Sequence, residues 1–464
     1  MARVSDASHT PKRGIAGWLL FDWAAQPFYT LVLTFLFAPY FASTFIGDAA
    51  WGQELWGYTT AAAGAIVAIL SPVLGAIADA SGRRKPWIAA SSLALIAGLC
   101  ALWLAAPGQT SLLAPVIAGV IVASVAAEIA GVFTNAMMPG LVPPDRLGRL
   151  SGTGWAVGYA GGLVSLVLAA GLIVADGETG RTMMGLEPVL PLNSLEHEGE
   201  RLIGPFAALW YAIFVLPLFL FTPDTGTGRA VNGPGRAVSR GLAQLRDTLL
   251  HVRRYGNIVR FLAARMLYAD GLGAIFVFGG LYAKALFGWT AMELGLFGIV
   301  ITVTAAIGAF IGGPLDDRFG ARTVIIWGLL GLMAACAGVL SVDGARILYV
   351  VNVAPANAAD GVFASVGEQV YLAFSAGIGL VSGPIQASSR SLLARLAPPG
   401  MATEFFGLFA FSGKVTAFAA PLTVALVTGV TGDQRLGIAS IAVFLVLGLV
   451  LVLGVKEEGS GPNS

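Results

Sequence analysis

The chain has 464 residues, of which 56% are apolar and 11% charged, with a formal net charge of +1 and a mean hydropathy of +0.80. A soluble domain carries about 25% charged residues and must keep its surface mostly wet, so this composition excludes an ordinary soluble protein and points into a bilayer. The near-zero net charge gives no basis for nucleic acid as a partner.

In chain order, Arg3, Lys12 and Arg13 precede an apolar run that is too long for a cleavable signal peptide and contains Asp22. It reads as a retained first membrane helix. An α-helix needs about 20 apolar residues to cross the hydrocarbon core. Runs of that kind cover 15–46, 54–78, 86–106, 112–136, 150–174 and 204–222, then 258–286, 291–315, 323–341, 367–392, 402–430 and 435–455. The expected fold is therefore all-α: twelve transmembrane helices in two six-helix bundles. Residues 1–222 form the first bundle, 223–257 a linker, and 258–464 the second bundle.

Charge placement tests the count. With a cytoplasmic N-terminus, the outside segments hold only Arg181, Arg201, Lys284, Arg346 and Arg435, and nearly every other Lys and Arg falls inside. One miscounted helix would scramble that asymmetry in every later loop, so both termini are placed in the cytoplasm. The linker opens with the Gly/Pro-rich GTGRAVNGPGRA. Val238, Leu242, Leu245, Leu249 and Val252 then recur at helical spacing, with Arg240, Arg246, Arg253 and Arg254 between them. This is a basic amphipathic helix, lying either on the membrane surface or packed on the bundle with no lipid role. The acidic stretch 175–203, with Asp176, Glu178, Glu187, Glu196, Glu198 and Glu200, reads as a solvated outside loop.

Cys100 and Cys336 lie inside apolar runs, so no structural disulfide is expected. His9, His197 and His251 fall outside those runs, and no HExxH, CxxC or histidine cluster occurs, so neither metal nor cofactor is expected. The sequence contains no P-loop, which argues against ATP-driven transport. The Gly-x-x-x-Gly stretches at 154–158 and 379–383 read as helix-packing faces.

The most specific feature is an internal repeat. GAIADASGRRK (75–85) follows the second run and GPLDDRFGART (313–323) follows the eighth. Gly75 and Gly313, Asp79 and Asp317, Gly82 and Gly320, and Arg84 and Arg322 share one offset. Arg83 and Arg318 add further positive charge to the two turns. A second echo pairs Leu-Val-Pro-Pro at 141–144 with Leu-Ala-Pro-Pro at 396–399.

This duplicated Gly-x-x-x-Asp-x-x-Gly-x-basic turn resembles the loop between the second and third helices of the major facilitator superfamily, whose halves are parallel repeats. A narrower resemblance, to its vacuole effluxer-like branch, rests on FDWAAQPFYTLVLTFLFAPYF, GTGWAVGYAGG and GPIQASSRSLLARLAPPGMATEFFGLFAFSGK. The resemblance implies a secondary carrier working by alternating access, with the two turns as cytoplasmic gates. Its fungal members are associated with amino-acid export. The second turn departs from the pattern at Asp316 and Ala321, so the two gates are not equivalent.

An Asp in such a turn can face the positive end of a helix. Asp79 is placed near Thr403 and Glu404, and Asp317 near Ser151 and Gly152. Polar residues also fall on single helix faces: Asp22, Gln26, Tyr29 and Thr30 in the first run, Ser124, Glu128, Gly131 and Asn135 in the fourth, and Glu368, Ser375, Gly379, Ser382, Gln386 and Arg390 in the tenth. The seventh run adds Asp270. In the superfamily the first, fourth, seventh and tenth helices line the cavity, and the periodicity here picks out the same four.

A charge at a helix centre costs about 2.5–3.5 kcal/mol to insert, so each needs a reason. For Asp22, Glu128, Asp270 and Lys414 the choices are substrate or proton handling, or a structural pair of Glu128 or Asp270 with Lys414 or Arg265. Arg390 either binds a substrate carboxylate or anchors its helix end. The leading reading is proton-coupled export of an amino acid or other zwitterion by a monomer in a bacterial inner membrane. Uptake of a sugar, peptide or organic anion, and a non-transporting sensor, stand as alternatives. No nucleophile–base or metal constellation supports an enzyme.

Overall fold

The structure, a computed structural model, describes residues 10–177, 179–226, 234–354 and 361–457. Glu178 and most of the Gly/Pro-rich part of the linker lie outside the described residues. The described chain is almost entirely helical. Among the described residues, eleven helices are long and apolar enough to cross a membrane: Lys12–Phe45, Ala49–Ser81, Lys85–Leu104, Leu113–Gly140, Pro144–Leu172, Glu198–Phe221, Val252–Phe287, Met292–Phe319, Ala321–Leu340, Val366–Leu396 and Gln434–Leu453. A short antiparallel hairpin pairs Arg346 with Asn352 and Ile347 with Val351.

The run expected at 402–430 departs from expectation. It forms two shorter apolar helices, Ala402–Ser412 and Ala419–Thr431, joined by hydrogen-bonded turns. The Arg265 guanidinium lies against Gly413 and donates to Ser412 Oγ at 2.9 Å, and the chain restarts its helix where Asp270 accepts from the Ala420 N–H at 3.0 Å. Polar groups on the 256–287 helix thus end one helix and begin the next.

Local signals set many other boundaries. Asp48 accepts from the Ala50 and Trp51 N–H groups and starts the 49–81 helix. Ser365 with Glu368 and Thr290 with Glu293 form capping boxes. The repeated turn glycines, Gly82 and Gly320, end their helices at φ +72 and +87, a region open to glycine without a side-chain clash.

By packing, the chain forms two compact units. The first comprises 1–143, 157–247 and 398–411; the second comprises 144–156, 248–397 and 412–464. The same pairings recur within each. In the first, 12–27 packs on 198–221, and both 49–81 and 85–101 pack on 113–137. In the second, 256–287 packs on 441–453, and both 291–319 and 321–340 pack on 366–396. The sequence duplication is therefore a duplication of packing. The chain changes unit within the 147–172 helix and again after Phe411.

The helix pair 291–319/366–396 depends on small residues. A Cβ at Gly308 would collide with the Leu380 backbone carbonyl, whereas one at Gly295 on the same helix would meet nothing within 4 Å. Overpacking of this kind costs about 1–3 kcal/mol. Gly308→Val is expected to lower the unfolding temperature in detergent by several degrees and Gly295→Val to leave it unchanged, as read by a thermal fluorescence scan.

Candidate functional site

In the first unit the turn residue Asp79, 5% exposed, accepts from Thr403 Oγ1 at 2.6 Å and from the Glu404 N–H at 2.9 Å. It thereby caps the 402–412 helix. Gly75 makes this possible, because a Cβ there would run into the Thr403 carbonyl. Arg84, also buried, braces the cap: its Nε donates to Thr403 Oγ1 (2.9 Å), its Nη1 to the Thr225 carbonyl (2.7 Å), and its Nη2 lies 3.4 Å from Asp79. Arg83 is exposed.

In the second unit Asp317 accepts from the Gly148 N–H at 2.8 Å and the Arg149 N–H at 3.2 Å, at the start of the 147–172 helix. That is about one turn before Ser151 and Gly152. Gly313 again lies against backbone, at the Gly148 carbonyl. The second cation differs from the first. Arg322 donates to the Val452 and Leu453 carbonyls, and Arg318 is exposed over the Phe319 ring. Arg395 takes the bracing position, 2.6 Å from Asp316 and 3.6 Å from Asp317. Asp316, 1% exposed, also accepts from Ser391 Oγ.

Among the intramembrane candidates, Asp22 lies along Gly158, and Gln26 and Thr30 pack onto Gly162. The helix loosens to i→i+5 bonding from Phe28 to Phe35, a geometry that recurs at functional sites. Tyr29 sits in this stretch. On the 113–140 helix, Glu128 and Asn135 are half-buried, and a Cβ at Gly131 between them would meet nothing within 4 Å, so this polar face is open.

In the second unit the polar stripe of the 366–396 helix splits. Glu368 is consumed by its capping box and accepts from Trp289 Nε1 at 2.9 Å, while Gly379 packs on Ile301 and Thr304. Gln386 is half-buried. Arg390, 4% exposed, is held by Ser151 Oγ (2.9 Å) and the Ser151 carbonyl (2.7 Å), with the Trp155 ring 5.8 Å away. Asp270, 6% exposed, spends one carboxylate oxygen on the Ala420 N–H, and its other oxygen is buried and has no hydrogen-bond partner among the described residues. Gly273, three residues on, faces open space. Lys414 is half-buried in the break between the two short helices. No group of three or more metal-ligating side chains occurs among the described residues.

The Atg22-like vacuole effluxer family matches residues 55–463. This chain belongs to that family. A relative in Bacillus subtilis, the uncharacterized MFS-type transporter YxiO, is 26% identical over 96% of this chain and 95% of its own length. Autophagy-related protein 22 of Cryptococcus neoformans is 27% identical over 67% of this chain, a match that covers 53% of the fungal protein. Among solved structures, the Escherichia coli fucose:proton symporter FucP superposes with a TM-score of 0.70 at 14% identity, covering 96% of this chain and 98% of its own. The human organic anion transporter MFSD10 gives 0.68 at 16%, covering 95% and 99%. The fold is that of the major facilitator superfamily, and the chain is a membrane transporter of the Atg22-like branch.

Two further carboxylates of this Atg22-like chain escaped the sequence reading. Asp224, just past the 198–221 helix, accepts from the Arg84 and Lys85 N–H groups at 3.1 and 3.2 Å. Glu457, just past the 441–453 helix, accepts from the Ala321 and Arg322 N–H groups at 3.1 and 2.9 Å. Each caps the helix that follows a motif turn, so the duplication extends to a second carboxylate. The available signal was an acid a few residues after the last apolar run of each half. Arg395 joins Glu457 (3.1 Å) to Asp316. Removing one partner of a buried pair costs about 3–5 kcal/mol. Arg395→Ala should therefore destabilise the protein by that order in detergent unfolding, with part of the loss recovered in Arg395→Gln/Asp316→Asn.

Proposed function

We propose that this transporter is a proton-coupled secondary carrier that exports a small zwitterion, an amino acid or a close analogue, by alternating access. It works as a monomer in a bacterial cytoplasmic membrane with both termini in the cytoplasm. The observation that carries the reading is the pair of motif carboxylates, Asp79 and Asp317, each capping a helix distant in sequence. Both capped helices belong to stretches in which the chain passes between units. Such caps are electrostatic contacts that can open and re-form as a transporter rocks. Asp79 and Asp317 are its cytoplasmic gates, with Gly75, Gly82, Gly313 and Gly320 shaping the turns and Arg83, Arg84 and Arg318 carrying their positive charge.

Substrate and proton handling falls to the intramembrane polar groups. Asp22, Gln26, Tyr29, Glu128 and Asn135 supply an acidic, hydrogen-bonding face that suits an amino group. In the second unit the candidates are Asp270, Gln386, Arg390 and Lys414, the cations being of the kind that pairs with a carboxylate. The family's designation as vacuole effluxers supports export. Asp270 is the proposed proton carrier, because it is a buried acid placed where the 402–431 segment breaks and restarts its helix.

Proteoliposomes loaded with a panel of labelled amino acids, with and without a pH gradient, test this reading. Gradient-dependent movement of at least one amino acid is expected, lost about tenfold or more in Asp270→Asn and slowed in Asp79→Asn. Gradient-driven transport that persists in Asp270→Asn would make that residue structural, and no movement of any amino acid would overturn the substrate class.

A further inference from the structure

The Pro234–Leu250 helix buries one strip and leaves an apolar strip beside it exposed. One strip, Ala237, Gly241, Leu245 and Thr248, is buried, with Gly241 lying directly on the Ile77 backbone. The adjacent strip, Val238, Leu242 and Leu249, is 41–57% exposed. Arg236, Arg240 and Arg246 are exposed as well, and Asp247 is the sole acid between Pro234 and Leu250. On a helical projection the exposed apolar strip lies between the buried strip and Arg246, with Arg236 and Arg240 farther round the exposed side.

This arrangement is half packed on protein and half suited to an interface of hydrocarbon and negative charge. Chain connectivity keeps it there. The 198–221 span ends at Phe221, a short connection upstream, and the 252–287 span begins two residues after the helix ends, so the helix is held within reach of the bilayer surface. The same helix touches the Asp79 cap: Gln244 Nε2 donates to Glu404 Oε2 at 2.6 Å, and the Glu404 N–H is the group Asp79 holds.

We propose that the 234–250 helix docks onto anionic lipid headgroups of the bilayer that the chain spans, and that this docking tightens the Asp79 cap through the Gln244–Glu404 contact. Val238, Leu242 and Leu249 enter the headgroup–acyl boundary, and the arginines pair with phosphates. This docking is independent of what the carrier moves.

The full chain, with Cys100→Ala and Cys336→Ala, is labelled at Leu242→Cys with an environment-sensitive dye and placed in nanodiscs of phosphatidylcholine, with or without phosphatidylglycerol. The expected result is a blue-shifted emission, quenched by nitroxide-bearing lipid, that appears with phosphatidylglycerol and weakens in high salt. Replacing Arg236, Arg240 and Arg246 together by Gln should weaken the apparent lipid affinity at least about tenfold, and replacing them by Lys should largely restore it. Hydrogen exchange at the Thr403 and Glu404 amides in the unlabelled chain should slow with phosphatidylglycerol, and Gln244→Ala should abolish that slowing while the dye response at Leu242→Cys persists. A label equally wet in both lipids, or a response unchanged in the Gln triple, would overturn the lipid site. Exchange insensitive to lipid in the wild-type chain would overturn the coupling to the cap.

Discussion

The first N–H groups of every helix lack partners inside the helix, and a buried backbone donor left without a partner is costly. This chain answers that constraint repeatedly with a carboxylate brought from elsewhere in the sequence. Asp79 caps the 402–412 helix, Asp317 the 147–172 helix, Asp224 the 85–101 helix, Glu457 the 321–340 helix and Asp270 the 419–431 helix. Each satisfies orphan donors and places negative charge at the positive end of a helix dipole. These contacts fix where helices begin.

The two units solve the same problem with different cations. In the first, Arg84 follows Asp79 in the turn and braces the cap directly. In the second, the residue at the repeat-equivalent position, Arg322, reaches the carbonyls that end the 441–453 helix, and Arg395 substitutes from the 366–396 helix. The extra acid Asp316 accounts for the change. A second buried carboxylate beside Asp317 needs a cation of its own, and Arg395 reaches both. The departure from pattern at Asp316 is thus part of a different charge network.

The caps differ in how completely they are satisfied. Asp79 has both oxygens engaged by Thr403 and Glu404, whereas Asp270 leaves one oxygen buried without a donor among the described residues. Asp270 lies where the 419–431 helix restarts, next to the break that holds Lys414. The broken 402–431 segment places both kinds of cap on one stretch of chain.

Composition and periodicity were enough to determine a polytopic helical membrane protein, because apolar runs of this length and number suit a bilayer, and the repeated Gly-x-x-x-Asp turn was enough to reveal a duplication, which resemblance to a known family linked to transport. The residues of the turns were legible because glycine at a close approach and an acid at a helix start leave a signature in spacing alone. The break at 413–418 was not legible, since its apolar composition reads as one span and its cause, Arg265 and Asp270 on another helix, is remote in sequence. The split of the 366–396 polar stripe was hidden for the same reason: spacing gives a face, and only neighbouring helices decide whether that face meets backbone, as at Gly379, or open space, as at Gly131. Asp224 and Glu457 reach their helix starts only through the fold, because the N–H groups they accept from are remote in sequence. Helical periodicity is a property of the local chain, and a partner's identity is a property of packing, so the sequence determined the elements and the tertiary structure alone decided which charges meet.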